Sequence, residues 1–247
     1  MKGYDAATYG ERIAEVYDEM YEDLFDRDEV VDVLADLAGE GRALELAIGT
    51  GRVALPLAAR GVEVHGIDSS EAMVAKLRSK PDGDDIPVTI GDFADVGVDG
   101  TFPLVYLVFN TLYALETQED QVRCFANVAR VLEPGGCFVL EAFFPDVARF
   151  DRGQRVHATR VQVDRVTLDV SVHDPVAQTV LTQHVVIGQE RTFLYPVALR
   201  YVWPPEMDLM ARLAGLRLRS RWGGWKGQPF TGQTQKVVSI YERPGPE

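Results

Sequence analysis

The segment Arg42-Ala-Leu-Glu-Leu-Ala-Ile-Gly-Thr-Gly-Arg52 determines the fold of this chain. Its first half, Arg42 to Ala47, predicts a short apolar strand, and Val53 to Arg60 after it predicts a helix. Small residues at every second position of the intervening turn let the chain bend sharply and let a ligand approach the backbone. The segment therefore predicts a ligand-binding loop at the carboxyl end of a strand.

The same alternation of strand and helix continues downstream. Helices are predicted after Ser69 or Ser70 and after Thr117, where Pro134-Gly135-Gly136 ends the second of them. Alternation of this kind predicts an α/β fold with a mainly parallel sheet and helices on both faces. The further strands are predicted at Val62–Ile67, Val88–Ile90, Leu104–Phe109 and Cys137–Phe143.

The pattern changes to period two between Arg155 and Val202, with turn residues at Asp174-Pro175 and near Gly188. This indicates three or four antiparallel strands inserted after the fifth strand. A helix from Pro204-Pro205 to Gly215 and two strands, at 216–222 and 236–241, follow. We therefore divide the chain into N-terminal helices with the half that carries the ligand-binding loop (1–144), an antiparallel insertion that caps a ligand site or forms a dimer surface (145–203), and a final helix and hairpin that complete the sheet (204–247).

The N-terminal forty residues are strongly acidic and predict two helices. Apolar residues at helical spacing predict the first helix from Thr8 to Phe25, with a capping box between Thr8 and Glu11. The second spans Val30 to Ala38 and ends at the following glycines. The acidic residues are either a solvated helix face or a lid that interacts with a cation.

Composition excludes several classes of function. The chain has 247 residues, with 25 Lys+Arg against 38 Asp+Glu, so its formal net charge is −13. That charge disfavours binding to nucleic acid or to an anionic membrane. The longest apolar stretch, Phe102 to Phe109, is too short for a membrane span, and the N-terminus does not read as a signal peptide. Because only Cys124 and Cys137 are present, we expect a reducing compartment and a cytoplasmic protein.

Acidic residues follow successive strands and predict a nucleoside site. Asp68 ends the second strand, where a carboxylate accepts both ribose hydroxyls. Gly91-Asp92-Phe93 ends the third, where a carboxylate accepts an adenine amino hydrogen and an aromatic ring covers the base. The first turn reads E-x-A-x-G-x-G rather than G-x-G-x-x-G, and it lacks a Walker lysine, so a dinucleotide or phosphate cradle is poorly supported.

This pattern, with Asp68, Gly91-Asp92 and Pro134-Gly135-Gly136 in that order, closely resembles class I S-adenosylmethionine-dependent methyltransferases of the small-molecule type. The architecture also resembles methyltransferases of natural products and amino sugars. The resemblance implies a Rossmann-like seven-stranded sheet, S-adenosyl-L-methionine as cofactor and S-adenosyl-L-homocysteine as product. Ala47 stands where the family most often has Gly.

The resemblance also implies roles for individual residues. Asn110 would line both the methionine part of the cofactor and the entry of the acceptor. The other acceptor residues would be Tyr113, Trp222, Trp225 and Phe230. The last three are equally well explained as packing under the final hairpin. The cofactor residues would be Tyr17, Tyr21, Glu45, Ala47, Gly49, Gly51, Arg52, Asp68, Ser69, Met73, Gly91, Asp92, Phe93, Phe109 and Asn110.

A general base is the open part of the predicted chemistry. A neutral amine needs no strong base, whereas a hydroxyl or phenol benefits from one. The candidates are His157, His173 and His184 in the insertion, with Asp146 and Glu141 as alternatives. Glu141 could equally support the loop after the fourth strand. No spacing of His or Cys indicates a metal site.

We therefore expect an enzyme that methylates an oxygen or nitrogen of a small molecule, a secondary metabolite or sugar. One alternative is a non-catalytic S-adenosylmethionine- or S-adenosylhomocysteine-binding protein, and another is a nucleotide-dependent oxidoreductase. The expected partner is a small-molecule acceptor, with no nucleic acid or membrane. The inserted sheet either forms a homodimer surface or keeps its edges solvated. A basic stretch could grip a phosphate of a nucleotide-linked acceptor, and it consists of Arg212, Arg217, Arg219, Arg221 and Lys226.

Overall fold

A computed structural model describes residues 1–21 and 27–245 of the chain. Its main sheet contains strands β1 (Arg42–Leu46), β2 (Glu63–Asp68), β3 (Val88–Ile90), β4 (Phe102–Leu107), β5 (Leu132–Phe143), β10 (Arg217–Trp222) and β11 (Lys236–Glu242). Across the described residues this sheet has seven strands in the order β10-β11-β5-β4-β1-β2-β3. Neighbouring strands from β5 to β3 are parallel, and β11 pairs antiparallel with both β5 and β10. The predicted, mainly parallel Rossmann-like sheet is confirmed.

Helices cover both faces of this sheet, because alternate residues of its central strands pack in two different clusters. Leu44 and Leu46 of β1 pack with one set of helices, whereas Ala43 packs with another. The first set is α6 (Gln118–Val131) and α7 (Pro204–Leu213), and the second is α3 (Arg27–Ala38), α4 (Ala54–Ala58) and α5 (Glu71–Arg78). No helix within the described ranges is long and apolar enough to cross a membrane.

The insertion is a separate antiparallel sheet of β6 (Gln154–Val161), β7 (Arg165–Asp174), β8 (Thr179–Gly188) and β9 (Thr192–Arg200), paired in that order. The prediction of three or four strands is confirmed as four in the described part of the chain. Side chains of opposed residues lie on the same face of a sheet. The odd-numbered residues of β7 and the even-numbered residues of β8 face inward, and the remainder face outward.

The N-terminal prediction was wrong in two respects. The first helix is broken into α1 (Thr8–Ile13) and α2 (Tyr17–Met20), and its predicted end, Phe25, lies outside the described residues. The capping box does not form. Instead Asp5 accepts hydrogen bonds from the backbone of Thr8, and Glu11 accepts from Ser70 Oγ and from the backbone of Ala72. For Glu11, hydrogen bonds from Ser70 and Ala72 at the start of α5 replace the local contact with Thr8.

The Pro134-Gly135-Gly136 segment ends α6 as predicted, but it belongs to β5 rather than preceding it. Gly135 has a positive φ of 82°, and its N–H donates to the carbonyl of Arg243 at 2.8 Å. The C-terminal strand therefore holds this segment in the sheet, a long-range contact that local sequence does not reveal.

Candidate functional site

A cavity of about 470 Å³ opens between the carboxyl ends of the main sheet, the N-terminal helices and the inner face of the inserted sheet. This volume is typical of sites for small ligands. The predicted residues that line it are Tyr17, Tyr21, Ala47, Gly49, Asp68, Ser69, Met73, Phe93, Phe109, Asn110, His157 and His184. The structure thus brings most of the predicted cofactor residues and two of the three histidines together.

The loop after β1 forms a cradle on one side of this cavity. Ala47 and Gly49 have positive φ values of 56° and 54°. A Cβ placed on Gly49 would meet only the carbonyl oxygen of Ala47, at 4.0 Å, so a side chain there would project into open space that a ligand requires. Gly51 has a different reason for being glycine, since a Cβ there would lie 2.3 Å from Leu77 Cδ1. It allows the loop to pack on α5 and does not line the cavity.

Asp68 is fixed beside this cradle at the end of β2. Its Oδ2 accepts from the backbone N–H of Gly49 at 2.7 Å, and its Oδ1 accepts from that of Ser70 at 2.8 Å. Burial raises the pKa of Asp68, and the backbone hydrogen bonds oppose that rise only in part. The carboxylate holds the cradle and the start of α5 in place, while remaining accessible from the cavity as an acceptor for ribose hydroxyls.

Glu45 and Arg52 lie just behind the cradle and line a small adjoining cavity of about 40 Å³. Glu45 is 4% exposed and its Oε2 accepts from the hydroxyl of Tyr106 at 2.9 Å. Burial, together with the charge of Asp68, raises the pKa of Glu45 to about 8. This shift favours the neutral form of Glu45 at pH 7. Arg52 donates to the carbonyl of Tyr21 at 3.1 Å and lies over the rings of Tyr17 and Phe109.

The acidic N-terminal segment contacts the protein's own cations. Asp18 accepts from Thr50 Oγ1 and pairs with Lys80 Nζ, each at 2.6 Å. Burial would raise the pKa of Asp18, but these two contacts outweigh it and lower the pKa. Glu15 pairs with Lys76 of α5, and Glu19 pairs with Arg165 of β7. Glu15 and Glu19 stay largely exposed in these pairs, so the solvated helix face and the cation-contacting lid both stay predictions.

The residues predicted to bind adenine lie only partly at the surface of the cavity. Met73 and Phe93 line it, as does Ser69. Gly91 and Asp92 do not: the N–H of Gly91 donates to the carbonyl of Asp68 at 2.9 Å, and Asp92 Oδ1 accepts from the backbone of Ala94 at 2.8 Å. In this structure Asp92 shapes the turn that presents Phe93, and its contact with an adenine stays a prediction.

The inner face of the inserted sheet forms the wall opposite the cradle. Two neighbouring rows of opposed residues face the cavity, and they sit about 7 Å apart along the strands. One row is His157, Asp169, His184 and Tyr195, and the other is Arg155, Ser171, Thr182 and Val197. Within the first row, His184 Nδ1 donates to Asp169 Oδ1 at 2.6 Å, and His184 Nε2 lies 3.5 Å from the hydroxyl of Tyr21.

The third histidine and the two acidic candidates are not part of this wall. His173 is buried, lies 3.1 Å from the hydroxyl of Tyr201 and stacks on Phe150, so it supports the sheet. Asp146 is exposed outside the cavity. Glu141 accepts from the backbone of Phe109 and pairs with Lys236. It supports the loop after β4, which is the alternative role considered for it.

The aromatic residues predicted for the acceptor site lie away from the cavity, and for Trp222, Trp225 and Phe230 the packing alternative describes their place. Tyr113 is fully buried and donates to the carbonyls of Phe143 and Val202. Trp225 is buried in the core beside α3 and α4, with Trp222 packed on the same cluster, and Phe230 packs against Phe144. Trp222, Trp225 and Phe230 therefore serve the packing of the final hairpin.

The basic stretch also lies elsewhere. None of its residues lines the cavity, and three of them pair with nearby carboxylates. Those pairs are Arg217 with Glu242, Arg221 with Asp208 and Lys226 with Glu29. The cavity instead contains Arg149 and Arg155, together with Asp169, Ser171 and Thr182, none of which the sequence singled out. Alternation in the insertion could have grouped the last four residues on one face, but not shown which face is inward.

The strand order, the cradle after β1 and the acid after β2 define a nucleoside-binding protein with the fold of S-adenosylmethionine-dependent methyltransferases. The family description "Methyltransferase domain" matches residues 43–136. The structure of the CcbJ methyltransferase from Streptomyces caelestis superposes with a TM-score of 0.90 at 36% identity, covering 98% of this chain and 100% of that one. The chain belongs to the class I S-adenosylmethionine-dependent methyltransferase family, and it is an enzyme.

Two further relatives agree with this assignment. The cypemycin N-terminal methyltransferase of a Streptomyces species is 29% identical over 208 residues, which cover 83% of this chain and 84% of that protein. The structure of CalS10 with bound S-adenosylmethionine, an amino pentose methyltransferase from Micromonospora echinaspora, shares the fold with a TM-score of 0.72 at 23% identity, covering 92% and 96% of the two chains. The oxidoreductase and non-catalytic alternatives find no support here.

S-adenosylmethionine is the methyl donor, and the cavity fits it. The open space at Gly49 leaves room for a ligand close to the backbone, and the buried oxygens of Asp68 would accept ribose hydroxyls. Met73 and Phe93 would offer apolar surface to a purine ring. Tyr17, Tyr21 and Arg52 would hold the methionine part, whose carboxylate a guanidinium favours.

Proposed function

We propose that this protein transfers a methyl group to a nitrogen or oxygen of a small molecule, with His184 accepting the proton that the acceptor loses. Two relatives support the acceptor class: one is named for an N-terminus and the other for an amino pentose. The observation that carries the proposal is the contact of 2.6 Å between Asp169 and His184, in the same cavity as the cradle and Asp68.

The main task of the chain is alignment. When bound, S-adenosylmethionine supplies a methyl group that is already activated as part of a sulfonium. Ala47, Gly49 and Asp68 hold one substrate, while the inserted sheet holds the other against it. Fixing two reactants in this way removes much of the entropic cost of their encounter. Tyr17 and Tyr21 of the N-terminal segment line the same space and would shield it from water.

His184 is placed to act as the base. Its Nδ1–H donates to Asp169, so Nε2 carries the lone pair that accepts a proton from the acceptor nitrogen or oxygen. Asp169 orients the ring and stabilises the imidazolium that forms. His157, opposite Asp169 on β6, is a second cavity histidine, but it is exposed and has no comparable contact with a carboxylate in the described structure. Asp169 is therefore best regarded as a positioning residue.

The experiment is a screen of small amines, phenols and amino sugars with S-adenosylmethionine and the purified full chain. Release of S-adenosylhomocysteine and a product heavier by one methylene unit are the readouts. With an acceptor in hand, His184→Asn is expected to lower kcat by about 10²–10⁴-fold. The loss should shrink at high pH for an amine acceptor, because the amine then loses its proton to solvent. His65→Asn is the matched control, since His65 pairs with Glu63 outside the cavity.

Two results would contradict this proposal. Equal kcat for wild type and His184→Asn would remove His184 from the chemistry and leave alignment alone. Binding of S-adenosylmethionine without methylation of any acceptor would instead favour the non-catalytic binding protein.

We also propose a homodimer through the outer face of the inserted sheet. That face carries exposed Val156, Val170, Val172, Ile187 and Leu194 and spans roughly 600 Å², against about 800 Å² per partner in a standard interface. A second copy related by a two-fold axis would cover these exposed apolar side chains.

We place the working protein in the cytoplasm, with no nucleic-acid or membrane partner. The two cysteines of the chain, Cys124 and Cys137, are buried and unpaired with each other, as suits a reducing compartment. The net charge of −13 opposes binding to polyanions.

A further inference from the structure

Two arginines stand on the acceptor side of the cavity without a carboxylate partner. Arg149 ends the 3₁₀ turn Val147–Arg149, and its guanidinium lies over the rings of Phe143 at 5.7 Å and Phe150 at 5.0 Å. Arg155 lies on the inner face of β6 opposite Ser171. Both line the cavity. Within residues 1–21 and 27–245, neither guanidinium forms an ion pair or a hydrogen bond.

Two other arginines of the inserted sheet do have carboxylate partners: Arg165 pairs with Glu19 and Arg200 with Glu206. Acidic residues outnumber basic ones in the chain by 38 to 25. Near the two cavity arginines, the carboxylate of Asp169 is already engaged by His184. The guanidinium of Arg149 thus lies over two aromatic rings and within electrostatic range of Arg155, while Asp146 and Asp169 act on it without forming an ion pair in the described chain.

The mutual effect of these charges is unfavourable. Burial lowers the pKa of Arg149, and the charge of Arg155 lowers it further, while Asp146 and Asp169 counteract this only in part. An anion bound between the two guanidinium groups would relieve this repulsion. Guanidinium forks match the geometry of carboxylate and phosphate oxygens, which they bind in bidentate fashion.

We propose that Arg149 and Arg155 bind an oxyanion, a carboxylate or a phosphate, carried by the methyl acceptor. This inference rests on the proposed function and narrows its substrate class. Because the row of Arg155 and that of His184 are about 7 Å apart, the acceptor presents its nucleophile to His184 and its anionic group to the arginines several atoms away. Neutral amines and sugars would then be poor acceptors. The other source of an oxyanion in this cavity is the carboxylate of the cofactor itself.

The test uses the full chain saturated with S-adenosylhomocysteine and titrated calorimetrically with inorganic phosphate and with acetate. We expect at least one of the two anions to bind wild type, and the affinity to fall at least tenfold in the double variant Arg149→Gln/Arg155→Gln. The affinity for S-adenosylhomocysteine should stay within twofold. The matched control is Arg60→Gln, which removes an exposed arginine that pairs with Asp32.

Each other outcome overturns the anion site in its own way. Equal anion affinity in wild type and double variant, or no anion binding to wild type, removes it. A tenfold loss of S-adenosylhomocysteine affinity in the double variant would assign the arginines to the cofactor carboxylate. Failure of wild type to bind S-adenosylhomocysteine would contradict the methyl donor instead, and the anion titration is repeated on the free protein to separate the two failures.

Discussion

At the residue scale, Asp68 joins the cradle, the start of α5 and the cavity. Replacing it with Asn keeps the shape but removes the charge, and hydrogen bonds to charged groups contribute about 1.5–3 kcal/mol. We expect Asp68→Asn to weaken S-adenosylhomocysteine binding by about 10–100-fold, measured by calorimetric titration. Asp68→Ala should also lower the melting temperature, since the N–H groups of Gly49 and Ser70 lose their acceptor.

The control for Asp68 is Asp32→Asn, which alters only an exposed pair with Arg60. Asp92→Ala should likewise weaken cofactor binding, either through a direct contact or through the turn that presents Phe93. Affinity equal to wild type in both Asp68→Ala and Asp92→Ala would disprove the cofactor site.

Glu45 makes stability depend on pH. Its pKa rises from an ordinary 4.5 to about 8 in the folded chain, so between these values the folded state is protonated and the unfolded state is ionised. Unfolding then releases a proton, and the free energy of unfolding falls as pH rises, by at most about 1.4 kcal/mol per pH unit. Glu45→Gln removes this penalty. Urea denaturation should show the variant close to wild type at pH 4 and more stable by at least about 1 kcal/mol at pH 8.

A matched control for this effect is the exposed Glu190→Gln, which should follow wild type at both pH values. A Glu45→Gln variant that is less stable than wild type at pH 8 would show that the carboxylate is ionised in the folded chain.

At the scale of elements, α1 packs through Gly10 directly against the loop after β2 that carries Asp68 and Ser70. A Cβ at this position would lie 2.5 Å from Ser70 Cβ and 2.7 Å from Ser70 Oγ. Ser70 caps α5 and donates to Glu11, so displacement of α1 disturbs the loop that carries Asp68. We expect Gly10→Ala to destabilise the protein by about 1–3 kcal/mol, despite the better helix propensity of Ala, and to weaken S-adenosylhomocysteine binding.

Gly97→Ala provides the comparison, because a Cβ there meets nothing within 4 Å. That change should alter stability by less than about 0.5 kcal/mol. Chemical denaturation and calorimetry of both variants decide the matter: if Gly10→Ala behaves like Gly97→Ala, α1 does not seat on the loop as described.

At the scale of the whole molecule, the inserted sheet has two faces with different tasks. Its inner face is polar and closes the cavity, whereas its outer face is apolar. If two copies pair through the outer face, Val170→Lys places charges in the interface and should convert a dimer into a monomer, as measured by light scattering. Val176→Lys, in the exposed turn after β7, should leave the mass unchanged. A wild type that is monomeric at all concentrations would refute the dimer.

The sequence by itself determined the sheet, the ligand-binding loop after β1 and the order of the strand-end residues. These features are local: a strand, a turn of small residues and an acid are close in the chain, and parallel strands align their ends. Two local predictions failed because contacts across the fold outweighed local preferences. Glu11 accepts a hydrogen bond from Ser70 instead of forming a capping box with Thr8, and Gly135 donates to the carbonyl of Arg243.

Only the tertiary structure decided the acceptor side of the site. Period-two alternation says that Arg155, His157, Asp169 and His184 share a face, but burial of that face against the main sheet shows that it is the inner one. This packing also places Arg149 at the cavity, whereas His173, Trp222 and Trp225 lie outside it. A local pattern determines which residues share one face of a sheet. What that face contacts is determined by how the two sheets pack against each other, and this depends on residues far apart in the sequence.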